Sequence, residues 1–409
     1  MEESIREYIR ESAQWLKKIQ NAEDGGWGEY QGAKSSCLNT SEAIIALVES
    51  GCHKAGDRVI QKGAKYLIEN QLNGENSTTT EDCGAWVREF KRGKKAICIP
   101  DTVRTSFALL ALNTAGRSCE DKPVELGIKW LLKTQNKDGK GWGYRPNSEN
   151  SLFPTCLALE ALLRMYSAGE EQSLKSPIQD VLDHILSYRN DDGSFGKMPG
   201  LVATHTLHVI CVFQMASDLD FNIPRKEIES AKNWIRNNKD QTVRWSNETI
   251  RLEKKENSPA NYTFSHLNPA MYLRVFGEKL FPEDDIGEES LIVLDDNIDP
   301  VTHAFCAKRP VSWATAKALM GLAKMPSLIK DKEFPVRKSQ SVQPQGRHYI
   351  FGFLAILVLA SAVLEGMGKL SMTFASVTYA VILALLLVYG YISEKSFVKL
   401  FIRRLKQKK

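Results

Sequence analysis

Few positions in this 409-residue sequence carry side chains whose types and spacing could do chemistry. Asp101-Thr102-Val103-Arg104-Thr105-Ser106 puts a carboxylate at the head of an apolar segment with a cation three residues on, the placement of a helix-start carboxylate or a local ion pair. Asp295, Asp296 and Asp299 spell Asp-Asp-x-x-Asp; on a helix their oxygens would share a face and suit a hard cation such as Mg2+. The acidic stretch from Glu283 to Asp299, with Pro300 directly after it, fits a solvated edge equally well. His205, His208 and Cys211 recur at every third residue. A helical rotation of about 100° per residue spreads them over roughly 120°, which favours cavity or core side chains over a shared ion, and no metal site is assigned. Trp142, Tyr144, Phe153, Trp245, Tyr262, Phe264 and Trp313 offer pi faces to an apolar chain or a cation, or serve to pack helices.

The elements that must position these residues repeat. An aromatic-headed amphipathic helix followed by a glycine turn occurs as Trp15 to Gln20 with Asp24-Gly25-Gly26-Trp27-Gly28, as Tyr66 to Gln71 with Gly84-Ala85-Trp86, and as Trp130 to Gln135 with Asp138 to Gly143. Weaker copies are His184 to Arg189 with Asp192 to Gly196, and Trp234 to Asn237 with Trp245. Each is followed by a segment rich in small and aliphatic residues, headed by Thr40, Thr105, Thr155, Thr204, Asn268 and Thr315 at spacings of 65, 50, 49, 64 and 47 residues.

The first helix of each pair is half polar and must face water, whereas the second is apolar nearly all round and must be buried. Six such pairs close into a double ring, outer helices around inner ones, about a cavity entered from one end. The turn glycines allow positive φ and close backbone approach, the Trp packs on the next repeat, and the Gln can bond the exposed end of an adjacent helix. An open superhelix is the alternative, though its repeats are shorter and lack this turn.

The Gln-x(2 or 3)-Asp-Gly-Gly-Trp-Gly element resembles the QW repeat of squalene-hopene and oxidosqualene cyclases, shared more loosely by the beta subunits of protein prenyltransferases. The resemblance covers roughly residues 5 to 325 and implies an all-α (α/α)6 toroid. It implies a cyclase acid motif, Asp-x-Asp-Asp-Thr-Ala, at residues 101 to 106; of its three acids only Asp101 is kept, Val103 stands where the proton donor is expected, and Arg104 replaces the last acid. Against the prenyltransferase zinc set, His205-Thr206 matches one element and no Asp-x-Cys exists. The Asp-Asp-x-x-Asp at 295 to 299 is similar to the magnesium-diphosphate motif of class I prenyl synthases, a different mechanistic class.

Residues 349–364 and 370–392 are free of charge, and at about 1.5 Å per residue the longer run covers the roughly 30 Å of a bilayer core. They are joined by Glu365-Gly366-Met367-Gly368-Lys369, as a helical hairpin would be. The expected organisation is a toroid over 1–325, a linker over 326–348, a transmembrane hairpin over 349–392 and a basic amphipathic tail over 393–409. Basic residues on both flanks place both termini in the cytoplasm, on a multi-pass protein of the inner or plasma membrane. The last sixteen residues hold seven Lys or Arg against one Glu, so of the +5 total the remainder carries about −1, which excludes a basic nucleic-acid-binding body. Eight cysteines without a C-x-x-C pair read as free thiols of a reducing compartment, and the charged N-terminus lacks a secretory signal.

The expected function is a membrane-anchored toroid that binds an isoprenoid or other small ligand at the cytosolic face, with isoprenoid cyclisation or transfer as the class if it is an enzyme. The second reading is a membrane effector, as in bacterial antiviral defence, whose toroid senses a ligand or protein partner and whose hairpin perturbs the bilayer. Membrane lipid is the expected partner, with a protein partner or a second copy as further ones.

Overall fold

The chain winds in helical pairs around a ring. The computed structural model describes residues 2–73, 80–92, 95–137, 140–167, 172–252, 260–277, 285–299, 301–305 and 309–325. The linker, the apolar hairpin and the basic tail expected over 326–409 lie outside the described residues. Among those described, no helix is long and apolar enough to cross a membrane.

Six inner helices form the wall: α2 (Cys37–Glu49), α4 (Thr102–Thr114), α6 (Leu152–Ser167), α8 (Val202–Asp218), α11 (Asn268–Phe276) and α13 (Ser312–Leu322). Each packs on the next in that order and α13 packs on α2, so the ring closes. Six outer helices cover it: α1 (Glu2–Lys18), α3 (Arg58–Glu69), α5 (Lys122–Thr134), α7 (Lys175–Leu186), α9 (Arg225–Asn237) and α12 (Asp285–Asp295), with the short α10 (Lys239–Thr242) after α9. Burial follows the sequence pattern. Inner α4 buries ten of its thirteen residues, while outer α9 buries four of thirteen, all on one stripe that ends in Trp234 and Ile235.

The joins explain the repeat. The backbone N–H of the aromatic turn residue donates to a threonine hydroxyl one turn into the following inner helix: Trp27 to Thr40 at 2.9 Å, and Trp86 to Thr105, Trp142 to Thr155, Phe195 to Thr206 and Phe305 to Thr315 at 3.0 Å. The Trp27, Trp86 and Trp142 indoles reach back to the carbonyls of Leu16, Leu67 and Leu131. Gln20 and Gln71 then tie neighbouring pairs, donating to Val59 O in α3 and Pro123 O in α5. In the fourth pair the receiving hydroxyl is Thr206, not the Thr204 that the alignment of repeats puts at the head; Thr204 instead bonds Asn268 of α11 at 2.8 Å. Thr105→Val removes the acceptor of a fully buried N–H and should cost about 1–3 kcal/mol in denaturant unfolding, with Thr105→Ser close to wild type.

The seam between last and first pairs is made in the same way. Ser312 N and Oγ donate to Glu29 O and Gly28 O, both at 2.8 Å, and Ser12 Oγ donates to His303 O at 2.6 Å.

The fold departs from the all-α expectation in two antiparallel hairpins. Strands β1 (Val87–Arg92) and β2 (Lys95–Pro100) pair from Val87↔Pro100 to Arg92↔Lys95, and β3 (Trp245–Leu252) and β4 (Ala260–Leu267) from Trp245↔Leu267 to Leu252↔Ala260. Both elaborate one loop, between the aromatic turn residue and the head of an inner helix. In simple joins that loop is closed by Ser36 N to Trp27 O or Ser151 N to Trp142 O; Asp101 N to Trp86 O closes the base of β1–β2 likewise. Ser246, Glu248, Phe264 and His266 are buried while Asn247, Thr249 and Thr263 are exposed, the period-two alternation of a strand with one face inward. That alternation stands in the sequence, but a search tuned to helical repeats passes over it.

Candidate functional site

The inward face of β3–β4 fills the ring where an open mouth is expected. Phe264 and His266 reach the wall: Phe153 of α6 has its ring centroid 5.0 Å from Phe264 and 4.6 Å from His266, and His208 of α8 is 6.3 Å from His266. His266 Nε2 approaches Glu248 Oε2 at 3.3 Å, with both side chains buried. Burial holds the His266 and His208 imidazoles well below their ordinary pKa, aided by the positive charge of Lys317, and pushes the Glu248 carboxyl up. His205 is likewise lowered by burial, against the attraction of Glu248. Below the hairpin is a cavity of only about 40 Å3, lined by Phe107, Phe153, His208, His266, Arg274 and Lys317 among others.

The larger space is polar. A cavity of about 370 Å3 lies among the first turns of α2, α4 and α13 and the outer edge of β4, and its wall includes Glu42, Asn39, Arg104, Trp313 and Lys317. Burial pushes the Glu42 carboxyl up to about 7 despite the cations Lys317 and Arg104, and burial lowers Lys317 despite Glu42. The Lys317 ammonium is also 5.0 Å from the Phe264 ring centre and 5.8 Å from that of Trp313.

At the opposite end, ion pairs cross the ring between helices that are not neighbours in the wall. Arg164 of α6 reaches Glu49 of α2 at 2.9 Å, and Arg274 of α11 reaches Glu160 of α6 at 2.7 Å and Glu49 at 3.7 Å. Hydrogen-bonded charges of this kind offset part of their desolvation only as a complete set.

Asp101 is 3 % exposed and caps α4. Its Oδ1 accepts from the Arg104 N–H at 2.9 Å and faces the Arg104 guanidinium at 3.3 Å; its Oδ2 is ion-paired with the Arg88 guanidinium of β1 at 2.8 Å. The acids at 295 to 299 do not share a helix face. Outer helix α12 ends at Asp295, Asp296 is exposed, and Asp299 caps a turn, accepting from Thr302 N at 2.7 Å and Thr302 Oγ1 at 2.8 Å. Burial opposes ionisation of Asp299, but these donors outweigh it and lower its pKa. Among the described residues no His, Cys, Asp and Glu group of three or more is arranged for a metal ion.

Of the aromatic candidates, Trp142 is wholly buried in a repeat join and lines neither cavity. Tyr144 is buried beside Glu248, and its phenol is raised well above the ordinary value by burial and that charge. Phe153 and His208 line the small cavity and Trp313 the large one. His205 is buried facing Glu248. The residues missed are Glu42, Glu160, Lys317 and Arg274, together with Glu248 and His266. A charge inside TSEAIIAL, TCLALEAL or TAKALMGL was the available signal, since a helix buried all round has no solvated face for it.

Fold and site together define a closed toroid of helical pairs with a partly plugged, polar centre. The chain belongs to the prenyltransferase alpha-alpha toroid domain family, whose profile matches residues 2–89 and 95–273. Curated relatives include a squalene–hopene cyclase of Zymomonas mobilis, 30% identical over 96 residues, 21% of this chain and 13% of the relative. A lanosterol synthase of Candida albicans is 26% identical over 145 residues, 35% of this chain and 18% of the relative. The chain thus spans less than a fifth of the length of either. Among solved structures, a type II terpene cyclase of Scytonema bound to merosterolic acid A superposes with a TM-score of 0.51 at 12% identity, covering 79% of this chain and 97% of that one. An alpha-1,6-mannanase of Salegentibacter superposes with a TM-score of 0.53 at 8% identity, covering 80% and 99%. At such identities the likeness is one of fold alone, and a fold shared by a terpene cyclase and a mannanase does not choose a reaction.

Proposed function

We propose that this protein is a membrane-tethered toroid that binds a small ligand in its ring and relays occupancy to its C-terminal segment, without class II cyclisation. The observation that carries this reading is the state of Asp101. Protonating an alkene needs a carboxyl oxygen that presents a proton to the hollow, and both oxygens of Asp101 are held by cations, Oδ1 accepting from the Arg104 N–H and Oδ2 ion-paired with Arg88. Val103, at the position expected of the proton donor, has no acidic group. A fixed guanidinium beside the hollow also opposes a carbocation. The uncharged runs at 349–364 and 370–392 and the basic tail support the tether at the cytosolic face of a membrane.

A second reading, isoprenoid cyclisation or transfer, is favoured by family membership and by the apolar wall of Phe107, Phe153, Leu157, Met271 and Met320. It requires β3–β4 to withdraw, because a cavity of about 40 Å3 holds no isoprenoid chain. One experiment separates the two. Full-length protein expressed in bacteria should fractionate with membranes and impair growth, and a stop after Lys338 should abolish both. A harmless full-length protein that copurifies with an isoprenoid, identified by mass spectrometry of extracted lipids, overturns the sensor reading.

A further inference from the structure

Glu42 and Lys317 form an incomplete pair. Glu42 is 1 % exposed and its Oε2 has no hydrogen-bond partner. Its Oε1 is 3.8 Å from Lys317 Nζ, beyond hydrogen-bond reach. Two opposite charges buried side by side without a hydrogen bond between them are costly, and a third group that bonds both relieves the cost. Both line the cavity of about 370 Å3, within the usual size of small-molecule sites. The rest of its wall adds hydroxyl and amide groups from Ser36, Asn39, Thr263 and Ser265, and the charges there balance, Glu29 and Glu42 against Arg104 and Lys317. A ligand of either net charge would upset that balance, whereas one carrying both charges keeps it.

Resting on the ligand-binding reading above, we propose that this cavity binds a small zwitterion of the free amino-acid type, its ammonium donating to Glu42 Oε2 and its carboxylate accepting from Lys317, with Arg104 as the neighbouring cation. The α-ammonium and carboxylate of such a molecule are both bonded to one carbon, which suits two protein charges only 3.8 Å apart. Binding a cation at Glu42 also requires that carboxyl to be ionised, so complex formation near pH 7 releases a proton.

The test is calorimetric titration of full-length, detergent-purified protein with each common L-amino acid in turn, with methylammonium, acetate and the multiply charged pyrophosphate as probes that carry one sign of charge only. At least one amino acid should bind at least about tenfold more tightly than its N-acetyl and its decarboxylated forms. Its binding heat should vary with the ionisation heat of the buffer, and Glu42→Gln and Lys317→Met should each weaken it at least about tenfold. Circular dichroism of both variants checks that the helices are retained. Equal binding of the single-charge analogues, or affinity that survives both substitutions, overturns the proposal. Binding of pyrophosphate with no amino acid bound also overturns it but leaves the ring a ligand-binding module. No heat from any probe, with an isoprenoid in the lipid extract, overturns both readings.

Discussion

Replacing Gly84 with alanine should destabilise the ring by about 3 kcal/mol or more, a large part of the stability of an ordinary domain. Gly84 has φ +99°, and an alanine Cβ there would lie 2.2 Å from the Leu126 carbonyl oxygen and 2.6 Å from its carbon. Leu126 belongs to α5, so the clash falls on helix backbone with no side chain able to turn aside. Steric overpacking adds about 1–3 kcal/mol to the penalty of positive φ. The same step carries Gln71, whose amide donates to Gly84 O at 2.9 Å and Pro123 O at 2.7 Å, so a shift there loosens two joins. Gly32, at φ +80° with open space around its Cβ position, supplies the control. Gly32→Ala should lose only about 1 kcal/mol. Urea unfolding of the two variants checks this, and equal losses would mean that the close approach to α5 contributes nothing.

The second large effect is a stability maximum near neutrality that Glu42 creates. In the folded chain the Glu42 carboxyl holds its proton up to about pH 7, against an ordinary value of 4.5. The folded state therefore binds more protons than the unfolded one between those values, and stability rises as pH falls through 7. Above pH 7 the buried carboxylate costs about 3 kcal/mol relative to its protonated form. Histidines 205, 208 and 266 act in the opposite sense. Their folded pKa values lie below the ordinary 6.5, so the unfolded chain takes up protons first and stability is lost as pH falls below 6.5. Glu248, also raised, softens that loss. Glu42→Gln should gain about 3 kcal/mol at pH 8, since the folded value already includes the attraction to Lys317, and less than about 1 kcal/mol at pH 5. Denaturant titrations at pH 5, 6, 7 and 8 check the profile. A variant no more stable than wild type at pH 8 would show Glu42 to be solvated.

What the sequence discloses is whatever local chemistry alone determines. Gly, Trp, Gln and Thr at a join each do one job set by backbone geometry, so five outer helices with their turns and six inner segments are visible from residue types and spacing, while the outer helix α12 carries no such mark. Where two residues of the right type lie close together, as with Thr204 and Thr206, spacing alone cannot say which receives the Phe195 N–H, and only the structure decides. The charges inside inner helices are visible too, but their partners are not. Arg274 meets Glu160 and Glu49 from 114 and 225 residues away in the chain, through a ring closure that no local pattern encodes. The plugging of the centre was the least legible feature. The repeats determine the circumference, whereas the contents of the ring come from β3–β4, an elaboration of one loop with a different periodicity.

The joint at Ser312, Gly28 and Glu29 fastens the last inner helix to the first turn, so a mechanical load that pries the circle open there meets three hydrogen bonds, counting Ser12 to His303, as well as the packing of α13 on α2.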